Sequence, residues 1–221
     1  MSEGNPFATL ALVAMIAAGA GLLVTTSWEF SRDRIAANER ARLLSSLSSV
    51  LDPELLGRDL DPVQISAQDS ELLGSDEPID VFVPVDEDAR PLAAIFASVA
   101  PHGYNAPIQL LIGISIPSGT IMGVRVVSHR ETPGLGDQID IAKSDWILQF
   151  NGKRIDNPPS AGWAVTKDDG QFDAITGATV TPRAVIRAVH NTLLYFDAHR
   201  QELLDAASAA ARSRSTTPTI E

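Results

Sequence analysis

The chain has 221 residues, 44% hydrophobic and 20% charged, which suits one soluble domain with a single core. Its formal net charge of -11 lacks the surplus of Lys and Arg that phosphate-backbone binding needs, which excludes nucleic acid and points to protein or small-molecule partners. With no cysteine there can be no disulfide, thiolate nucleophile, Cys-held iron–sulfur cluster or Cys-attached haem, and the redox compartment stays open.

From Phe7 to Trp28 no residue is charged, and the stretch is long enough to cross a bilayer, which takes roughly 20 apolar residues. Trp28 falls where an interfacial aromatic anchor belongs. A cleaved signal peptide is the other reading, but the apolar run exceeds the usual h-region and no Lys or Arg precedes it. Residues 1–30 are therefore expected to be a membrane anchor in a lipid bilayer. Arg32, Arg34, Arg40 and Arg42 follow the span, which by charge alone would keep the domain in the cytoplasm. Asp33 and Glu39 interleave with them and weaken that signal, so charge leaves the side undecided.

Ile35, Leu43, Leu44, Leu47, Val50 and Leu51 recur at near-helical spacing and predict an amphipathic stalk ending near Asp52-Pro53. A loop-rich stretch punctuated by Gly57, Pro62, Gly74 and Pro78 completes a juxtamembrane region over 31–78. The period then changes to two. Ile79 to Val83 and Leu92 to Val99 read as strands, and Ile108, Leu110, Ile112, Ile114 and Ile116 share one face of a longer one. Pro117-Ser118-Gly119 is a turn, and Thr120 to Ser128 returns as an antiparallel partner. The fold class is α+β, with an antiparallel sheet packed by helices over residues 79–208 and a polar tail over 209–221 whose Ser, Thr and Pro content suggests disorder from Arg212.

Pro133, Gly134 and Gly136 interrupt the strand pattern. They make either a tight turn or a loop whose backbone comes close to a ligand. Ser144 or Asp145 can cap a short helix bearing Trp146 and Phe150, and Trp163, Val165 and Phe172 suggest brief strands around a turn at Lys167 to Gly170. Thr181-Pro182 reads as a helix start, followed by an apolar stripe of Val185, Ala188, Val189, Leu193 and Phe196. Thr179 then sits just upstream of a helix N-terminus, where free N–H groups and a partial positive charge favour an anion such as phosphate. Gly177 and Ala178 keep bulk away from it, and Arg183 is either a counter-charge or simply exposed.

Other chemistry finds little support. His102, His129, His190 and His199 lack ligand spacing, residues 86–90 lack the glycine and distal Glu of a calcium loop, and Gly134-Leu135-Gly136 lacks the third glycine of the dinucleotide fingerprint.

The segment "DAITGAT", residues 173–179, with "ETPGLGD" upstream at 131–137, resembles the flavin-binding domain shared by the G subunit of the Rnf (Rsx) electron-transport complex and the C subunit of the sodium-translocating NADH:quinone reductase. The residues "HRETPGLGDQI" and "KSDWILQF" look more like the Rnf protein. The resemblance covers most of the chain and is weakest between Asp52 and Pro78. It implies that a flavin transferase joins FMN through its phosphate to the motif's last threonine, Thr179. By the same resemblance Asp173, Thr176, Gly177 and Ala178 form the recognised motif, with Asp173 as a plain turn residue the alternative. Glu131, Thr132, Leu135 and Gly136 would line the isoalloxazine, while Lys167 is a cation near its pyrimidine or a solvated turn lysine. The implied role is an electron relay among other subunits of an ion-translocating NADH/ferredoxin complex in a bacterial inner membrane, with the flavin domain on the periplasmic side. A tethered module that binds a phosphorylated ligand reversibly is the competing reading.

Overall fold

The computed structural model describes residues 45–51, 55, 62–86 and 88–215. The apolar stretch from Phe7 to Trp28, most of the expected stalk and residues 216–221 lie outside them. Among the described residues no helix is long and apolar enough to cross a membrane.

Five strands, β1 (Val63–Ala67), β2 (Ile79–Val83), β3 (Ala93–Ala100), β4 (Ile108–Ser115) and β5 (Ile121–Ser128), form one sheet in the order β1-β2-β3-β4-β5. Every neighbouring pair is antiparallel, as short connections require. The β4–β5 turn closes where Gly119, at φ +67°, donates its N–H to Ser115 O at 2.8 Å. Strand β1 lies in the stretch read as loop. Only Val63, Ile65 and Ala67 of its five residues are apolar, and its ladder to β2 is what makes it a strand.

One long helix, α1 (Val180–Ser215), packs across one face of the sheet. Its predicted stripe of Val185, Ala188, Val189, Leu193 and Phe196 is buried, and burial continues through Leu203, Ala207 and Ala211 into the stretch read as a polar tail. The strand face it covers is the predicted row Ile108, Leu110, Ile112, Ile114 and Ile116, joined by Phe96, whose ring meets Tyr195 and Phe196 edge-on at 6.1 and 6.4 Å. Two buried hydroxyls bridge the layers. Thr192 donates to Ala188 O at 2.9 Å, so in the 2.8 Å contact between the two hydroxyls Ser98 is the donor.

The opposite face carries a smaller cluster of Phe82, Ile95 and Leu111 under Leu47 and Val50. Gly113 and Gly123 pair across β4 and β5 directly beneath Val50. A side chain at Gly113 would strike the Val50 carbonyl oxygen, and one at Gly123 would come within 3.0 Å of Val50 Cα. The glycine pair is a slot that lets backbone lie flat on the sheet.

Between β5 and α1 the chain makes four short 3-10 helices, Gly136–Ile139, Asp145–Phe150, Ser160–Gly162 and Thr166–Asp168. Ser144 caps the second by accepting from Trp146 N at 3.1 Å. Around Trp163 and Phe172 the expected strands reduce to a single bridge, Val165 to Phe172, because the segment instead buries rings. Phe172 lies 4.9 Å from Phe150 and 5.1 Å from Trp163, and His190 of α1 stacks on Trp163 at 4.9 Å. Burial pushes the His190 imidazole below its ordinary value, favouring the neutral ring.

Filling the slot destabilises the sheet. Gly113→Ala is expected to lower stability by about 1–3 kcal/mol, read as a lower urea midpoint at unchanged slope.

Candidate cofactor site

The residues from Ile175 to Ala178 form a tight turn closed by Ala178 N donating to Ile175 O at 3.1 Å. Gly177 occupies its third position at φ +81°, the conformation that a type II turn demands and that side chains resist. A Cβ there would also sit 2.8 Å from Leu135 Cδ2, so this glycine is where the two sequence motifs touch. The turn is held from below. Trp146 Nε1 donates to Asp173 O at 2.7 Å, and Asp173 N donates to Gln149 Oε1 at 2.8 Å.

Helix α1 begins at Val180, two residues earlier than a cap at Thr181 with Pro182 as the first helical residue predicts. Thr179 therefore immediately precedes the first helical residue, the position whose hydroxyl usually caps the free N–H groups. Here the half-buried Thr179 hydroxyl has no hydrogen-bond partner among the described residues. Thr181, expected to cap, is buried and donates to Glu131 Oε2 instead. Pro182 remains within the first turn, where its missing N–H leaves no bond unmade.

Glu131 is itself only 5% exposed. Its other oxygen accepts from Asn105 N at 3.2 Å, and its own N–H donates to His129 Nδ1 at 3.1 Å. Gly136 clears the space for this contact, since a Cβ there would lie 2.8 Å from Glu131 Oε2 and 2.9 Å from Thr181 Oγ1. Thus Glu131 turns inward to join the strand-to-loop segment, the 103–105 loop and the start of α1.

Above this bracket lies a cavity of about 350 Å³ bordered by Glu131, Thr132, Leu135, Gly136, Gly177, Ala178, Thr179, Val180, Thr181 and Tyr104. It brings together seven of the sequence candidates. Thr176, in the adjoining turn, and Asp173, two residues before that turn, do not border the cavity. Tyr104 and Val180 border it without having been singled out, and Thr181 borders it although it was read only as a cap; Tyr104 lies far in sequence from either motif and gave no signal. Tyr104, Val180 and Leu135 are 68%, 42% and 41% exposed, so half of the six exposed large apolar residues among those described surround one opening. Such walls fit a flat, largely apolar group with an anionic end at the helix mouth.

Arg183 is not a counter-charge for that end. Its guanidinium grips Asp168 with two hydrogen bonds of 2.6 and 2.7 Å on the surface. The bonded Arg183 holds the Asp168 carboxyl below its ordinary range, and Asp168 in turn raises Arg183. Lys167 is exposed in the neighbouring turn.

Residues 103–194, which run from the loop before β4 through the cavity-lining segments into α1, match the family model for the FMN-binding domain. The chain is 44% identical over 201 residues to the G subunit of the ion-translocating oxidoreductase complex of Pseudomonas aeruginosa, covering 91% of this chain and 92% of that one. It is 42% identical to the same protein of Shewanella loihica, covering 83% and 85%, and 39% identical to that of Vibrio vulnificus, covering 89% and 91%. The chain belongs to this family, the G subunits of ion-translocating oxidoreductase complexes. The crystal structure of Shewanella oneidensis NqrC is 23% identical with a TM-score of 0.43 over 65% of each chain, a likeness too distant to carry function.

Two measurements test the site's construction. Thr181→Val removes a donor from a buried carboxylate and is expected to lower stability by about 1–3 kcal/mol in urea titrations. Arg183→Gln should return the Asp168 titration, followed by NMR, upward toward the ordinary carboxylate range. The pair's contribution to folding is present above the unfolded Asp pKa and fades as pH falls through the lowered folded value, and the variant should lack that acid-side loss.

Proposed function

We propose that this chain is the flavin-carrying electron relay of a membrane-bound, ion-translocating oxidoreductase complex, with FMN esterified through its phosphate to Thr179. The carrying observation is the unpartnered Thr179 hydroxyl at the mouth of α1, opening into the cavity walled by both motifs. A hydroxyl tied up in a helix cap would be a poorer acceptor. The FMN-binding family match and the relatives from ion-translocating oxidoreductase complexes support the same reading.

When bound, FMN supplies one- or two-electron redox chemistry that none of the chain's own side chains offers. The chain's residues hold and shield it. The free N–H groups at the start of α1 face the phosphate, and the turn glycine at 177 lets the ester lie close to the backbone. Leu135, Val180 and Tyr104 offer apolar surface to the ring system. Glu131 borders the cavity with both oxygens engaged, by Thr181 and by the Asn105 N–H, and so ties its walls together.

A flavin transferase installs the group, other subunits donate and receive the electrons, and residues 7–28 anchor the chain in a bacterial inner membrane with the flavin domain on its periplasmic side. The length of that predominantly apolar segment, free of charged residues, supports the anchor.

Peptide mass spectrometry of protein co-produced with the transferase should find FMN on the peptide carrying Thr179, and flavin fluorescence should survive denaturing gels. Thr179→Ala should abolish that fluorescence. Persistence in the variant rejects Thr179 as acceptor, and flavin that leaves on denaturation of the unmutated chain supports reversible binding instead.

A further inference from the structure

One helical turn beyond Thr181 a second cavity, of about 360 Å³, opens between α1, the end of β3 and the 70–74 loop. Its size falls in the lower part of the roughly 300–1,000 Å³ range of small-molecule sites. The loop forming its lip is preset. Asp69 Oδ1 accepts from Glu71 N at 3.0 Å and from Leu72 N at 2.8 Å, and Val99 N donates to Leu73 O at 3.2 Å. Gly74, at φ +72°, lets the lip sit against Val99, whose carbonyl oxygen a side chain there would strike.

The cavity's polar groups are mostly donors. Arg187 and Asn191 lie four residues apart on the same side of α1, while Ala184 and Ala188 leave room beside them. Arg187 has no carboxylate partner within ion-pair distance among the described residues, in contrast to Arg90, Arg154 and Arg183. His102 and Ser70 add a ring N–H and a hydroxyl, neither engaged by another described residue. Asn191 already donates to Glu71 O at 3.3 Å. The Glu71 carboxylate at the same rim disfavours polyanions and limits the guest to one compact anionic group.

We propose that this cavity is a second binding site, separate from Thr179, for a small organic anion with a carboxylate or phosphate-monoester head and a short apolar body. Arg187, His102 and Ser70 hold the head, and Val99, Ala184 and Ala188 contact the body. The site stands whether or not Thr179 carries flavin.

Isothermal titration of the purified full-length chain with phenyl phosphate tests it. Saturable one-to-one binding is expected, with inorganic phosphate weaker for want of the apolar contact. Arg187→Gln should weaken phenyl phosphate by about tenfold or more, the loss of a charge-assisted bond, and His102→Asn by less. Thr179→Ala should bind as the unmutated chain does. Absence of saturable binding, equal affinity for inorganic phosphate, or an unchanged affinity in Arg187→Gln overturns the proposal. Binding lost in Thr179→Ala but kept in Arg187→Gln also overturns it, by assigning the probe to the neighbouring cavity.

Discussion

A single buried carboxylate joins the parts of the candidate site. Glu131 accepts from Thr181 at the start of α1 and from the Asn105 backbone, so three chain segments distant in sequence meet on two oxygens. A buried carboxylate left with a free oxygen is expensive, which makes the arrangement cooperative. Loss of either donor leaves the acid exposed to that penalty, and the cavity walls lose their common anchor. Gly136 belongs to the same device, because any side chain there would occupy the space of the contact. The two motifs are therefore one object in space, touching again where Leu135 lies over Gly177.

The regular elements were legible in the sequence because burial imposes a period. The row from Ile108 to Ile116 and the stripe from Val185 to Phe196 are the two faces that meet in the main core. Strand β1 was hidden although Val63, Ile65 and Ala67 alternate with polar residues, because five residues among the loop signals of Pro62, Gly74 and Pro78 are too short a run to outweigh them, and the ladder to β2 lies outside any local window. The brief strands expected near Trp163 and Phe172 failed for a related reason. There the rings are buried by packing on one another and on His190, and 3-10 turns bring them together as well as strands would. The end of α1 was misjudged from composition. Small alanines at 207 and 211 pack as closely as larger residues, and polar neighbours on the other face masked them.

At the site, residue types were legible and directions were not. Thr179 and Gly177 could be singled out because a hydroxyl beside a glycine just before a helix start suits an anion, whereas Leu135 was reached only through the resemblance of its motif. Glu131 was expected by resemblance to line the isoalloxazine, and it does border the cavity, but its bond to the buried Thr181 gave no sign in the sequence, since an acid beside a glycine-rich loop looks the same whichever way it faces. Thr181 deceived for the converse reason. Its position before Pro182 is ideal for a cap, but the helix begins two residues sooner and the hydroxyl is directed to Glu131. Only the long-range contact, 50 residues apart in sequence, decides between these uses.

The same contact bears on which anion the helix mouth accepts. The N-terminus of α1 carries about half a unit of positive charge, and the Glu131 carboxylate already reaches it through Thr181. A free phosphate monoester brings nearly two negative charges at neutral pH, whereas a phosphodiester brings one. With Arg183 committed to Asp168, no guanidinium at the first turn is left to balance the difference. In the proposed reading, the single charge of an FMN ester at Thr179 suits this helix mouth, and the apolar surface of Tyr104, Leu135 and Val180 suits the large flat ring such an ester carries.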